Sequence, residues 1–171
     1  VAPAGSRGRG RMSAGRRILI LGEGFSHDPH YGKTMYGIIR YGPDPVVAII
    51  DPGPLDDAHI AALLDAVRGE TVSHIFVTHT HRDHVGGVDF LVRLGVPVFA
   101  PEMPGTSAIH PGDVIPCGDL VIRACDLSGH AMPSIGYHIE GLSLPVLVTG
   151  DALFAGSMGG CQTPRRYQLA L

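Results

Sequence analysis

The alternation of apolar and polar positions along the chain predicts a mixed α/β protein. Runs of β-branched and aliphatic residues predict strands at 16–24, 73–79, 96–100, 119–127, 135–140 and 144–150, and a hairpin over 35–53. Between 55 and 69, the apolar residues Ile60, Leu63, Leu64 and Val67 recur at helical spacing, so we expect a helix with a core-facing stripe. A second helix is predicted over 84–94, and a proline- and glycine-rich loop over 101–118. This order indicates sheets covered by helices.

Composition and charge place the chain among soluble globular proteins. Its 171 residues, 44% of them hydrophobic, suffice for one domain with a buried core. The net charge of -3 argues against a nucleic-acid partner, and no apolar run approaches the roughly 20 residues of a membrane span. The three cysteines, Cys117, Cys125 and Cys161, show no paired spacing, so we expect a reducing cytoplasmic environment without a disulfide framework.

The amino-terminal segment differs from the rest of the chain. It is rich in arginine, and no acidic residue precedes Glu23. We expect residues 1–15 to be a disordered basic extension and residues 16–171 to form a single domain. A transit peptide or a nucleic-acid-binding arm is the alternative for the extension.

A short segment further on resembles part of a nucleotide site. Gly32-Lys33-Thr34 matches the end of a phosphate-binding loop, but the glycine that this loop needs five residues earlier is replaced by His27. An edge strand followed by a long loop is the favoured interpretation of this region, and nucleotide binding is the weaker alternative.

The segment 75–91, "IFVTHTHRDHVGGVDFL", holds three histidines and an aspartate within six residues after a predicted buried strand. His79 and His81 leave the strand two residues apart, so their rings point to the same side. Asp83 and His84 follow as the chain turns. A polar loop without function does not explain this density of imidazole and carboxylate groups, which suit zinc and, less specifically, iron or manganese. The pattern predicts a metal site at the carboxyl end of a strand.

"THTHRDHVGG" resembles the H-x-H-x-D-H signature of the metallo-β-lactamase superfamily. Three further positions match in the same order: Asp51 in "VAIIDPG", His130 in "LSGHAMPSIGY" and Asp151 in "VLVTGDALFAGSMGG". The resemblance spans residues 34–161. It implies an αββα sandwich built from two stacked halves, with the site along the upper edge of the sheets, and we expect the second half to be incomplete, without the family's C-terminal helix and strands. It also implies that Asp51 supports the metal-binding loop without binding metal.

The resemblance further implies a site for two metal ions. Six side chains are the implied ligands: His79, His81, Asp83, His84, His130 and Asp151. The first ion would be held by His79, His81 and His130, while Asp83 and His84 would hold the second ion. Asp151, together with a water or hydroxide, would bridge the two ions. Asp83 would also orient the nucleophile, which makes it a catalytic residue with His79 and His81.

The segment "GDALFAGSMGG" resembles the "GDxLFxGSxGR" of glyoxalase II-like hydrolases, which cleave thioesters such as acyl-glutathiones. The implied activity is hydrolysis of a small-molecule thioester or related ester by a metal-bound hydroxide, with one or two Zn²⁺ ions as cofactor. A metal-bound water has a pKa near ~7, which makes hydroxide available at neutral pH. The alternatives are an iron-dependent sulfur dioxygenase, a lactonase or a lactamase of the same fold, or a non-catalytic metal-binding fragment.

Two departures from the family pattern qualify the resemblance. Gly160 stands where the glyoxalase II-like branch commonly has arginine. A later "GHG"-type histidine that completes the second metal in the family has no counterpart in these 171 residues. We therefore expect a complete first metal site, an impaired second one with reduced activity, and about one tightly bound metal ion per chain. We expect the six remaining histidines to lie elsewhere: His27, His30, His59, His74, His110 and His138.

Overall fold

The computed structural model describes residues 17–24, 34–41, 46–154, 156–161 and 163–169. The predicted basic extension over 1–15 lies outside the described residues, as does most of the phosphate-loop fragment, residues 25–33. None of the helices in the described part of the chain is long and apolar enough to cross a membrane.

In the described part of the chain, the first sheet has six strands, which follow one another across the sheet in chain order. These are β1 (Arg17–Gly24), β2 (Thr34–Tyr41), β3 (Val46–Ile50), β4 (Thr71–Phe76), β5 (Val98–Ala100) and β6 (Ser107–Ala108). The pairs β1–β2 and β2–β3 are antiparallel, and the later pairs are parallel. Parallel strands need crossovers, and helices supply two of them: α1 (Asp57–Ala66) before β4, then α2 (Arg82–Val85) and α3 (Val88–Val92) before β5.

The second sheet is antiparallel and has four strands in the order β10-β9-β8-β7. These are β7 (Val114–Cys117), β8 (Leu120–Asp126), β9 (Ile135–Glu140) and β10 (Val146–Val148). A 3₁₀ turn (Gly150–Ala152) follows, then a small hairpin of β11 (Leu153–Phe154) and β12 (Ser157–Met158), and finally α4 (Pro164–Leu169).

Two apolar cores define the layers of the molecule. One core lies between the sheets, where Ile50 and Phe76 of the first sheet meet Ile122 and Tyr137 of the second. The other core lies between the first sheet and its helices. Adjacent residues of β4 point to opposite cores, Ile75 to the helices and Phe76 to the second sheet. The expected burial of this strand on both faces is therefore confirmed at its carboxyl end, and the predicted α/β class is confirmed.

The helix α1 differs in detail from its predicted stripe. His59, Leu63 and Val67 are buried in it or at its end, whereas Leu64 is 37% exposed. His59 belongs to the inner face because its Nε2 donates a hydrogen bond to the Pro52 carbonyl oxygen at 2.8 Å. The spacing of apolar residues did not predict the burial of His59, because histidine is polar and is expected at the surface. A buried histidine is stable when its ring has a hydrogen-bond partner, as it has here.

Two further sequence predictions need correction. The single helix expected over 84–94 is two short helices, α2 and α3, separated at Gly86 and Gly87. The loop expected over 101–118 contains the strands β6 and β7. Pro116 concealed β7 from sequence reasoning, yet β7 is the last strand of its sheet, where a missing amide donor is tolerated.

Removal of the Leu63 side chain tests the helix–sheet core. Leu63 is fully buried, so Leu63→Ala is expected to lower the free energy of unfolding by about 2–5 kcal/mol. The neighbouring Leu64 is partly exposed, and Leu64→Ala is expected to cost less than about 1 kcal/mol. Urea denaturation measures both, and equal losses in the two variants would contradict this orientation of α1.

Candidate metal centre

The candidate site lies where the chain leaves the carboxyl end of β4. The strand ends at Phe76, and Val77 and Thr78 continue it to His79 and His81. His81 precedes α2 with extended backbone angles, and α2 then carries Asp83 and His84. The short helix begins directly after His81, so one continuous segment of six residues brings four of the predicted side chains to this edge.

Asp51 is the residue that fixes this segment. It directly follows β3, the neighbour of β4, and is 3% exposed. Its φ of 49° is a left-handed conformation that is uncommon outside glycine. Its amide donates to the Phe76 carbonyl at 2.8 Å. Its two carboxylate oxygens accept from the Thr78 amide and the Thr78 hydroxyl, each at 2.7 Å. The carboxylate thereby ties the end of β3 to the start of the histidine segment.

The same carboxylate sets the orientation of two histidine rings. His84 Nδ1 lies 3.0 Å from the carboxylate of Asp51 and donates to it. Thr78 Oγ1 gives its proton to Asp51, so it accepts from His79 Nδ1 at 3.0 Å. Both rings therefore carry a proton on Nδ1, so Nε2 is the nitrogen that can bind a metal ion, in His84 once its Nε2 proton is lost.

Three histidine nitrogens form the first cluster. His81 Nδ1 lies 3.1 Å from His79 Nε2 and 3.1 Å from His130 Nε2. The other nitrogen of His130, Nδ1, donates to the Gly160 carbonyl oxygen at 2.8 Å, which turns Nε2 toward the cluster. His130 comes from the loop between β8 and β9, so the second sheet supplies the third member of the group.

A second cluster contains His84 and the acidic side chains. His84 Nε2 lies 3.3 Å from Asp151 Oδ1 and 3.7 Å from Asp83 Oδ2. His130 Nε2 is 3.7 Å from the other oxygen of Asp151. Asp151 thus lies between the two clusters. Among the residues that the structure describes, two groups of nitrogen and oxygen atoms are each close enough to hold an ion: His79, His81 and His130, and His79, His84 and Asp151.

Two glycines allow Asp151 to reach this position. Gly150 has φ of 51°, and a Cβ there would lie 2.5 Å from Thr78 Oγ1. A Cβ at Gly159 would overlap the Asp151 carbonyl oxygen and touch His130. Because glycine has no Cβ, the 3₁₀ turn and the small hairpin can pack closely against the histidine segment.

Charge differs between the two sides of the site. Burial, and then the nearby charge of His84, lowers the pKa of His79 to about 4, so its ring is neutral at pH 7. Burial, then His130, also lowers the pKa of His81. Burial acts to lower the pKa of His84 too, but hydrogen bonds to Asp151 and Asp51 outweigh it and raise that pKa to about 10. Asp151 and Asp51 therefore favour a positive charge on the His84 ring itself, so a metal ion bound there has to displace the Nε2 proton, whereas His79 offers a neutral lone pair.

These side chains fit a metal ion. Two nitrogens bound to one tetrahedral zinc ion at 2.0–2.1 Å are about 3.3 Å apart, close to the spacing of 3.1 Å between the ring nitrogens here. The outward nitrogens of His79, His84 and His130 all have oxygen partners, as the ligands of metal sites do.

Comparison with known proteins identifies the family and the fold. The family model of the metallo-beta-lactamase superfamily matches residues 34–116. A metallo-beta-lactamase family protein from Thermus thermophilus has a TM-score of 0.73 at 18% identity, over 90% of this chain and 66% of that chain. ETHE1 from Myxococcus xanthus has a TM-score of 0.61 at 25% identity, over 74% of this chain and 56% of that chain. The chain belongs to the metallo-beta-lactamase superfamily.

A curated relative shows greater sequence similarity than these two structures. A hydroxyacylglutathione hydrolase from Pseudomonas putida (strain GB-1) is 37% identical over 131 residues, which are 72% of this chain and 50% of that protein. The chain spans about half the length of the curated relatives it matches.

The histidines outside the superfamily motif lie away from the cluster or outside the described residues. His59 is buried in α1 against Pro52, and His74 lies within β4, where its ring packs against those of Phe76 and Phe99. His110 is exposed in a loop, and His138 lies in β9 beside Glu140. His27 and His30 are outside the described part of the chain.

Sequence reasoning missed two contributors to the site. The Thr78 hydroxyl donates to Asp51 and therefore accepts from His79 Nδ1, which fixes the tautomer of His79. The Gly160 carbonyl accepts from His130 Nδ1 and so orients that ring. The threonine between strand and histidine was visible in the sequence, but its role requires a carboxylate 27 positions away. A backbone carbonyl carries no signal in the sequence.

Asp51→Asn tests the organising role of this carboxylate. Asparagine presents an NH₂ group either to the Thr78 amide or to both the Thr78 hydroxyl and His84 Nδ1, so at least one buried bond is lost, at about 1–3 kcal/mol of stability. Metal affinity is expected to fall about 10–100-fold, as for other outer partners of metal ligands. Competition with a chromophoric chelator measures the affinity.

Asp126→Asn is the matched control, because Asp126 is exposed and accepts from the Ser128 amide through an oxygen that asparagine retains. Equal metal affinity in the wild type and the Asp51→Asn protein would contradict the role given to Asp51.

Proposed function

We propose that the chain is a metal-dependent hydrolase that cleaves a thioester or a related ester. The observation that supports this most strongly is the convergence of His79, His81 and His130 on one point, with Asp151 beside them. The similarity to curated relatives named hydroxyacylglutathione hydrolase supports a thioester as the substrate class.

In this proposal, His79, His81 and His130 hold the first metal ion. Asp83 and His84 hold a second, and Asp151 lies between the two. Imidazole and carboxylate donors fit zinc best, with iron or manganese as the alternatives. His79 belongs to both possible groups, and its single free nitrogen serves one ion. The first site is therefore expected to bind more tightly than the second.

A bound zinc ion lowers the pKa of a coordinated water to about 7 and polarises a carbonyl oxygen. The chain's own side chains provide the rest. His79 and His84 are buried, whereas the side chains of His130, Asp83 and Asp151 are 18%, 26% and 26% exposed. The site is therefore open on the side of these three residues, where a substrate can approach.

Asp83 is the side chain we assign to orienting the attacking water. Its carboxylate is partly exposed and lies 3.7 Å from His84 Nε2, so Asp83 lies between the second cluster and the open side of the site. A carboxylate accepts a hydrogen bond from water and directs the remaining lone pair toward the substrate. The thiolate product, with a thiol pKa of about 8.5, leaves without a strong general acid.

Metal analysis combined with a thioester assay tests the function. His81→Ala removes the central nitrogen of the first cluster, so bound metal and kcat/KM for an acyl-glutathione are each expected to fall at least about 100-fold. His110→Ala is the matched control, because its side chain is 75% exposed and lies outside the cluster. It is expected to retain wild-type metal content and activity.

Three outcomes contradict the proposal. Unchanged turnover in His81→Ala would exclude these histidines from the chemistry. Bound metal without turnover in the wild type would favour the non-catalytic alternative. Turnover of a lactone or a β-lactam in preference to the thioester would replace the substrate class.

A further inference from the structure

The backbone that leads to His79 is held from two sides. On the side of the first sheet, Asp51 binds the Phe76 carbonyl and the Thr78 amide. On the side of the second sheet, the Ile135 amide donates to the Thr78 carbonyl at 2.8 Å, and the Tyr137 hydroxyl donates to the Val77 carbonyl at 2.6 Å. The contact between Tyr137 and Val77 differs from the other three, because a long side chain makes it across the core between the sheets.

Tyr137 is suited to this contact by its place in the core. It is fully buried in β9, and its ring lies 5.1 Å from that of Phe76 at an angle of 56°. The ring fills the space between the sheets, while the hydroxyl extends beyond the last paired residue of β4. The apolar body stabilises the core, and the polar end has a separate partner.

The hydroxyl remains a donor throughout the working pH range. Burial raises the pKa of Tyr137 well above its ordinary value, and the negative charge of Asp51 adds to the increase. Its hydrogen bond to Val77 is therefore unaffected by pH in the range in which metal binding is measured.

We infer that Tyr137 is a positioning residue, whose hydroxyl fixes the Val77–Thr78 backbone so that His79 presents Nε2 at the metal site. The inference rests on the ligand role of His79 in the proposed function. Val77 is two residues before His79, and protein metal sites keep their ligand distances to within about 0.2 Å. A small displacement of Val77 is therefore enough to weaken binding.

Tyr137→Phe separates the hydroxyl from the ring. Phenylalanine keeps the packing against Phe76 but cannot donate to Val77. The matched control is Ile139→Val, because Ile139 is fully buried on the same strand and in the same core, two residues farther along. It perturbs packing without removing a bond to the histidine segment.

Two measurements on the 171-residue chain test the inference. In the metal-free proteins, amide hydrogen exchange in the peptide covering residues 77–85 is expected to be about fivefold faster in Tyr137→Phe, the effect of losing about one hydrogen bond. In the Co²⁺-loaded proteins, Tyr137→Phe is expected to bind Co²⁺ about tenfold more weakly, with an altered visible spectrum. Ile139→Val is expected to match the wild type in both, even if its thermal midpoint falls.

The outcomes separate this inference from the proposed function. Tyr137→Phe with wild-type exchange in 77–85 and a wild-type Co²⁺ spectrum would overturn the positioning role. Equal changes in Ile139→Val would also overturn it, because general loosening of the core would explain them. A wild-type chain that hydrolyses no thioester, yet shows the expected exchange and Co²⁺ effects in Tyr137→Phe, would overturn the function and support the inference.

Discussion

The buried carboxylate of Asp51 is the group on which the rest of the site depends. It lies at the end of β3 in a left-handed conformation and accepts bonds from the Thr78 amide, the Thr78 hydroxyl and His84. Through Thr78 it also determines which nitrogen of His79 is free. A buried charge is stable only when it is well paired, so the segment that carries the histidines must be in place for this carboxylate to be satisfied. Fold and site are therefore stabilised by the same bonds.

The two sheets contribute unequal parts to this arrangement. The first sheet supplies the aspartate and the histidine segment at the carboxyl ends of neighbouring strands, where polar side chains from parallel strands meet. The second sheet supplies His130 and braces the segment through Tyr137 and Ile135. Because the core between the sheets is closely packed, the separation between His130 and the histidine segment of the first sheet is fixed by the apolar contacts of that core.

The sequence carried much of this information, for reasons that differ between residues. His79, His81, Asp83 and His84 lie within six residues, so local geometry was enough to predict their convergence. Asp51, His130 and Asp151 are distant in sequence, and only the resemblance to a family connected them with the cluster. The structure brings all of them to one edge. The roles of Thr78 and Tyr137 depend on partners in other strands, and a single sequence contains no signal for such pairs.

X-ray absorption spectroscopy on the chain loaded with one equivalent of zinc tests the central claim most directly. If the Asp51-organised cluster is the metal site, the spectrum is expected to show about three imidazole ligands with zinc–nitrogen distances of about 2.0–2.1 Å. Two results would contradict it: a shell of water oxygens around zinc with one imidazole or none, or a zinc–sulfur distance of about 2.3 Å, which would indicate binding by Cys117, Cys125 or Cys161.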